Sequence, residues 1–290
     1  LEVSYLTQQL NWKSDYVLVV GEDDAGGDLT GWVTLTNQSG VSYRDARLKL
    51  VAGDVQRVSD RDRARMMQDA MRAAEAEASG FSEESFFEYH LYTLDRPTTL
   101  GQNEQKQVLL LEGRDIAIEK KLVFYGAAHY YRGSYGQVVS NQKVGVYLDL
   151  VNSEEAGLGM PLPRGIVRVY KADASGAQQF IGEDRIDHTP RDERVRIKMG
   201  EAFDVVGDRR QMEYRVLGSC VSESAWRVSL RNHKEENVTV RAMEPVGGDW
   251  EIVSASHPVE RLDAHTFAFD VTVPARDEVV IEYRVRVRWC

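Results

Sequence analysis

The 290-residue chain carries 36 Lys and Arg against 46 Asp and Glu, a formal net charge of −10, and a field of that sign repels phosphate backbones and anionic headgroups, so nucleic acid is a poor partner. The longest apolar runs, such as YVLVV at 16–20, have strand length and fall short of the ~20 residues of a bilayer-spanning helix. The two cysteines exclude a four-cysteine metal framework.

In chain order, the opening LEVSYLT has neither an initiator Met nor a basic-then-apolar leader, so the chain reads as a mature or truncated product. EDDAGGD at 22–28 is acidic and glycine-rich but lacks the alternating ligands and terminal Glu of a calcium loop, and reads as a hairpin turn. GWVTLTN (31–37) and ARLKLVAG (46–53) alternate apolar and polar residues as half-buried strands do.

Residues 59–79 break that pattern. They lack β-branched residues, Gly and Pro, they open with the candidate N-caps Ser59 and Asp60, and Ala64, Met67, Met71, Ala74 and Ala78 recur at helical spacing. The segment predicts a helix inserted between strands, with a narrow Met67 and Met71 stripe that covers a sheet edge or docks a partner.

Alternation resumes in VGVYLDLVN (144–152), IVRVYKA (166–172), WRVSLRN (226–232) and TFAFDVTV (266–273), and in the last strand, where Tyr283, Val285, Val287 and Trp289 oppose Arg284, Arg286 and Arg288. Turn-forming NQSG, DASG, VGGD and PARDE separate many of these runs. VTLTN, LDLVN and VSLRN each alternate and stop at an Asn (Asn37, Asn152, Asn232), the echo that repeated units leave. The chain therefore reads as mainly β, a tandem of antiparallel, immunoglobulin-like β-sandwich domains with one helical insertion. The expected division is 1–201, with a possible sub-boundary near Asn141, and 202–290.

Three groups of residues carry candidate chemistry. VFYGAAHYYRGSYGQ (123–137) sets Tyr130, Tyr131 and Tyr135 among glycines, where aromatic faces stack on sugars or anchor a protein partner. FIGEDRIDHTPRDE (180–193) gathers Glu183, Asp184, Asp187 and His188, but in extended backbone Asp184 and His188 lie roughly 13 Å apart, and a turn network is the simpler expectation. Cys220 and Cys290 allow one intrachain bridge, though a buried free Cys220 and an incidental Cys290 are the plainer reading. The histidines are scattered without metal-ligand spacing, and no nucleophile elbow, phosphate loop or dinucleotide glycine pattern occurs. No catalytic residue, metal or cofactor follows from the residues.

The motifs LNWKSDYVLVV, LTGWVTLTNQSG, LKLVAGDVQRV, HLYTLDRPTTL, LGMPLPRGIVRVYKADASGAQQFIGEDRIDHTP, GEAFDVVGDRR and LRNHKEENVTV span essentially the full chain. They resemble the bacterial family called domain of unknown function 4139, similar to the C-terminal part of mucoidy inhibitor A-like proteins. The resemblance implies an exported protein of a Gram-negative-type envelope, with a leader and a further N-terminal β region beyond this chain, and it transfers no catalytic residue. The expected function is a non-enzymatic structural or protein-interaction module of the cell envelope or extracellular space, engaging a protein partner or a second copy. The alternatives are a carbohydrate or cell-wall binding module using the tyrosines, and a metal-dependent hydrolase using the 183–188 cluster.

Overall fold

In a computed structural model the chain is mainly β, and the structure describes residues 3–53, 81–86 and 89–290. The helix expected over 59–79, with Met67 and Met71, lies outside the described residues. The strands are β1 (Leu10–Val20), β2 (Gly26–Asn37), β3 (Tyr43–Ala46), β4 (Lys49–Ala52), β5 (Phe81–Phe86), β6 (Tyr89–Leu94), β7 (Thr98–Leu100), β8 (Glu104–Ala117), β9 (Glu119–Tyr125), β10 (Gln137–Val151), β11 (Gly165–Ala172), β12 (Gln178–Ile186), β13 (Arg194–Val216), β14 (Val221–Asn232), β15 (Val238–Pro245), β16 (Asp249–Ala255), β17 (Glu260–Asp263), β18 (Thr266–Val273) and β19 (Glu278–Arg288).

The chain divides into two compact units, Leu1–Glu119 with Asp149–Ile197, and Lys120–Leu148 with Lys198–Cys290. β9, in the middle of the chain, pairs in parallel with β15 and so carries its segment into the C-terminal unit.

The first unit holds a five-stranded sheet in the order β12-β11-β1-β2-β8, with the smaller sheets β4-β6-β5 and β3-β7. Pairing is antiparallel except between β1 and β11. Alternation decides which face is covered: Leu29, Val33 and Leu35 of β2 are buried, while Trp32 on the opposite face is half-buried. EDDAGGD forms the β1–β2 turn, with Gly21 N–H bonded to the Gly26 carbonyl at 2.8 Å and the Asp23 carboxylate accepting the Ala25 N–H at 3.0 Å.

The second unit is built on a nine-stranded sheet, ordered β16-β19-β14-β13-β10-β9-β15-β18-β17. Phe267 and Phe269 of β18 lie with their ring centroids 5.5 and 5.3 Å from Tyr283 of β19, although the two strands are far apart in that order. The sheet therefore folds over on itself and encloses Trp226, Val228, Leu230, Val240, Phe267, Phe269, Ile281 and Val285 in one core.

The three strand-ending asparagines do the same work. Asn37 and Asn232 are fully or almost fully buried, and each carboxamide straps a loop. Asn37 Nδ2 donates to the carbonyls of Val41 (2.8 Å), Leu100 (3.3 Å) and Gly101 (2.9 Å), and Asn232 Nδ2 donates to those of Glu236 (2.7 Å), Val273 (3.2 Å) and Pro274 (3.0 Å). Their Oδ1 atoms accept the N–H groups of Ser39 (3.1 Å) and Lys234 (3.0 Å). Asn152 repeats the donor half, to Met160 and Pro190 at 2.8 and 2.9 Å, while its buried Oδ1 has no partner. Beside each strap the chain turns through one left-handed non-glycine residue, Asn103, Asp192 or Arg276, at φ 58°, 63° and 55°.

Candidate functional site

After β9 the tyrosine-rich segment forms a short 3-10 helix, Ala128–Arg132, which drives Tyr131 into the core of the second unit. The expected surface platform of Tyr130, Tyr131 and Tyr135 does not form. Tyr131 is buried, its ring centroid 5.5 Å from that of Trp226, and its hydroxyl donates to Glu244 Oε2 at 2.8 Å and meets the Tyr283 hydroxyl at 2.9 Å. Tyr130 is half-buried between His129 and Trp226. Tyr135 alone of the three is exposed (43%), and its hydroxyl donates to the His129 carbonyl at 3.2 Å.

Behind Tyr131 sits a fully buried ion pair. Arg209 Nη2 donates to Glu244 Oε1 at 2.5 Å, Nη1 donates to the Tyr125 carbonyl at 3.2 Å, and the guanidinium lies 4.6 Å from the Phe124 ring centroid. Arg209 Nε is buried with no hydrogen-bond partner. Burial pushes the Tyr131 and Tyr283 hydroxyls well above the usual phenol range, and the Glu244 charge adds to it. Burial works against the Arg209 charge, but the Glu244 carboxylate together with Tyr283 and Tyr131 outweighs it, and the guanidinium stays protonated. A Cβ at Gly126 would collide with Glu244 Oε2, so the turn into the 3-10 helix needs glycine. These groups bond to one another inside the core, and their work is to pin the 3-10 helix to β13, β15 and β19.

The acidic segment is strand and turn. Glu183 pairs with Arg168 at 3.4 Å, the Asp184 carboxylate accepts the Arg185 N–H at 2.8 Å, the Thr189 hydroxyl donates to the Asp187 carbonyl at 3.0 Å, and His188 Nδ1 accepts the Arg164 N–H at 3.2 Å. Among the described residues no group of three or more His, Cys, Asp and Glu is placed to hold a metal ion.

The cysteines correct the sequence reading: Cys220 and Cys290 form a disulfide, with their Cα atoms 5.7 Å apart. The cause is register. Val221 at the start of β14 pairs with Arg288 at the end of β19, so the flanking cysteines meet, and the Trp289 N–H donates to the Cys220 carbonyl at 2.9 Å. The basic face of β19 is answered by acids, Arg284 by Glu213 and Glu223, and Arg286 by Glu223 and Glu251.

A more open surface lies in the first unit, at the two ends of the five-stranded sheet. β12 exposes Phe180 (55%) and Ile181 (42%), with Ile181 in a bulge opposite Val169 and Tyr170. β8, at the other end, exposes Leu109 (40%) and borders a groove of about 1060 Å³, lined by Trp32, Leu94, Asp95, Pro97, Val108 and Leu109. One carboxylate oxygen of Asp95, Oδ2, is buried with no hydrogen-bond partner. Sequence reasoning passed over these residues, although an indole on the polar side of an alternating strand, Trp32 in GWVTLTN, was a visible signal.

No curated protein matches the chain. The family model described as domain of unknown function (DUF4139) matches residues 1–290, the whole length. The chain belongs to the DUF4139 family.

Proposed function

We propose that the chain is a non-enzymatic structural or protein-interaction module of the bacterial cell envelope or extracellular space, built from immunoglobulin-like sandwich units in tandem. The observation that carries this reading is the pair of sheet ends, β12 and β8, each of which presents exposed apolar side chains and has one neighbour in its sheet among the described residues. Unpaired strand edges are templates for another chain, and proteins with no use for them cover or charge them. The repeated asparagine strap supports the tandem units, since Asn37 and Asn232 secure equivalent loops in different parts of the chain. The disulfide supports an oxidising compartment.

The experiment is site-specific photocrosslinking in producing cells, with a photoreactive residue in place of Leu109, Phe180 or, as a control, the exposed Thr239 on β15. A discrete heavier species from Leu109 or Phe180 and none from Thr239 is the expected result. Normal accumulation of the protein with no adduct from either edge contradicts the reading.

A further inference from the structure

We propose that the groove beside β8 docks an extended peptide segment of a partner protein, with one basic side chain of that segment received by Asp95. The proposal rests on the reading of the chain as an interaction module and names the partner's chemistry. Three observations converge on it.

The first is backbone. Among the described residues β8 is the last strand of its sheet and pairs there with β2 alone, so alternate N–H and C=O groups along it point away from the sheet. An added strand satisfies them at regular spacing, the recognition mode in which main-chain bonds supply affinity and pockets for alternate side chains supply specificity. The second is shape: about 1060 Å³ bordered by Trp32, Leu94, Pro97, Val108 and Leu109 is room for several side chains against an apolar wall.

The third is charge. A buried carboxylate oxygen without a donor is destabilised relative to a satisfied one, and Asp95 Oδ2 is such an atom. An ammonium or guanidinium brought in by a partner relieves that cost with a charge-assisted bond. Lys106 in the groove is engaged elsewhere: its Nζ donates to the Thr98 hydroxyl and the Thr99 carbonyl. Arg96, exposed on the groove wall, opposes a run of basic residues, so the site calls for one. The net charge of −10 attracts a cationic segment at longer range.

The test uses the full chain and nine-residue peptides, blocked at both ends, that alternate Val and Thr around a central Lys or a central Glu. Binding is followed by NMR, with amide exchange to locate it. The lysine peptide is expected to slow exchange across residues 105–110 and to bind at least about tenfold more tightly than the glutamate peptide. Asp95→Asn, which keeps the shape and removes the charge, is expected to abolish that preference while the melting curve shows an intact fold. N-methylation of the peptide amides facing β8 is expected to abolish binding.

Equal binding of the two peptides, or a lysine preference unchanged by Asp95→Asn, overturns the assignment. Protection at β12 instead of β8 overturns it and leaves the interaction reading standing. Protection nowhere with either peptide also overturns it, and the crosslinking result then decides the broader reading separately.

Discussion

Replacing Glu244 with Gln tests the buried network. The substitution keeps the side-chain shape but removes the negative charge facing Arg209, whose side chain and that of Glu244 are both fully buried. The variant therefore leaves a protonated guanidinium in the core, already short of one partner at Nε, and breaking such a pair costs about 3–5 kcal/mol. The Tyr131 hydroxyl keeps an acceptor whichever way the new amide settles, the amide oxygen or the Tyr283 hydroxyl at 2.9 Å, so this adds at most about 1 kcal/mol. Urea unfolding followed by tryptophan fluorescence is the assay, to which the Trp226 ring, packed against Tyr130 and Tyr131, contributes. We expect a loss of about 4 kcal/mol for Glu244→Gln, and a much smaller one for the double variant Arg209→Met with Glu244→Leu, in which no charge is left unpaired. A single-variant loss below about 1 kcal/mol, or a double variant as unstable as the single, refutes the reasoning.

Removing the disulfide with Cys220→Ser and Cys290→Ser frees a span of 70 residues and is expected to cost about 4 kcal/mol in the loop-entropy model; calorimetry of the variant against the oxidised parent checks it, and an unchanged melting temperature counts against the bridge. Asn232→Ala leaves carbonyls of Glu236, Val273 and Pro274 and the Lys234 N–H without their side-chain partner, an expected loss of about 2–4 kcal/mol in urea titration. The DASG turn gives a pH prediction. The Ser175 hydroxyl, then the Gln179 amide and the Ser175 and Ala177 N–H groups, hold the Asp173 carboxyl down to about 2 from its usual 3.8. Its folded value is depressed, so its contribution to stability is present above the unfolded pKa and is lost as pH falls from about 3.8 through about 2. Carboxyl NMR titration is expected to show that low midpoint, and Ser175→Ala is expected to raise it.

Much of the architecture was legible because period-two alternation is a local signal. Tyr283, Val285 and Val287 turn inward as the pattern requires, and the Asn37, Asn152 and Asn232 echo marks a strap used three times. What depends on register or on distant partners was not legible. Cys220 meets Cys290 only because β14 and β19 pair as they do, and Tyr131 reads as a loop aromatic until Trp226, Glu244 and Tyr283 enclose it. Arg209, within GDRRQ, has the look of surface charge in the linear chain. Glu244 carried a hint that was missed: it continues the inward face of Val240 and Ala242, where a carboxylate demands a buried partner. The groove at β8 needs three separate stretches of chain side by side, which no window of sequence contains.

The central claim is that the β8 edge is available to a partner, and amide hydrogen exchange on the isolated full chain tests it most directly. The expected result is fast exchange at every second amide of residues 105–110, those turned away from β2, while the amides of β2 at Trp32–Leu35 exchange slowly because both neighbours, β1 and β8, are in place. Uniform slow exchange along β8, equal to that of β2, contradicts it.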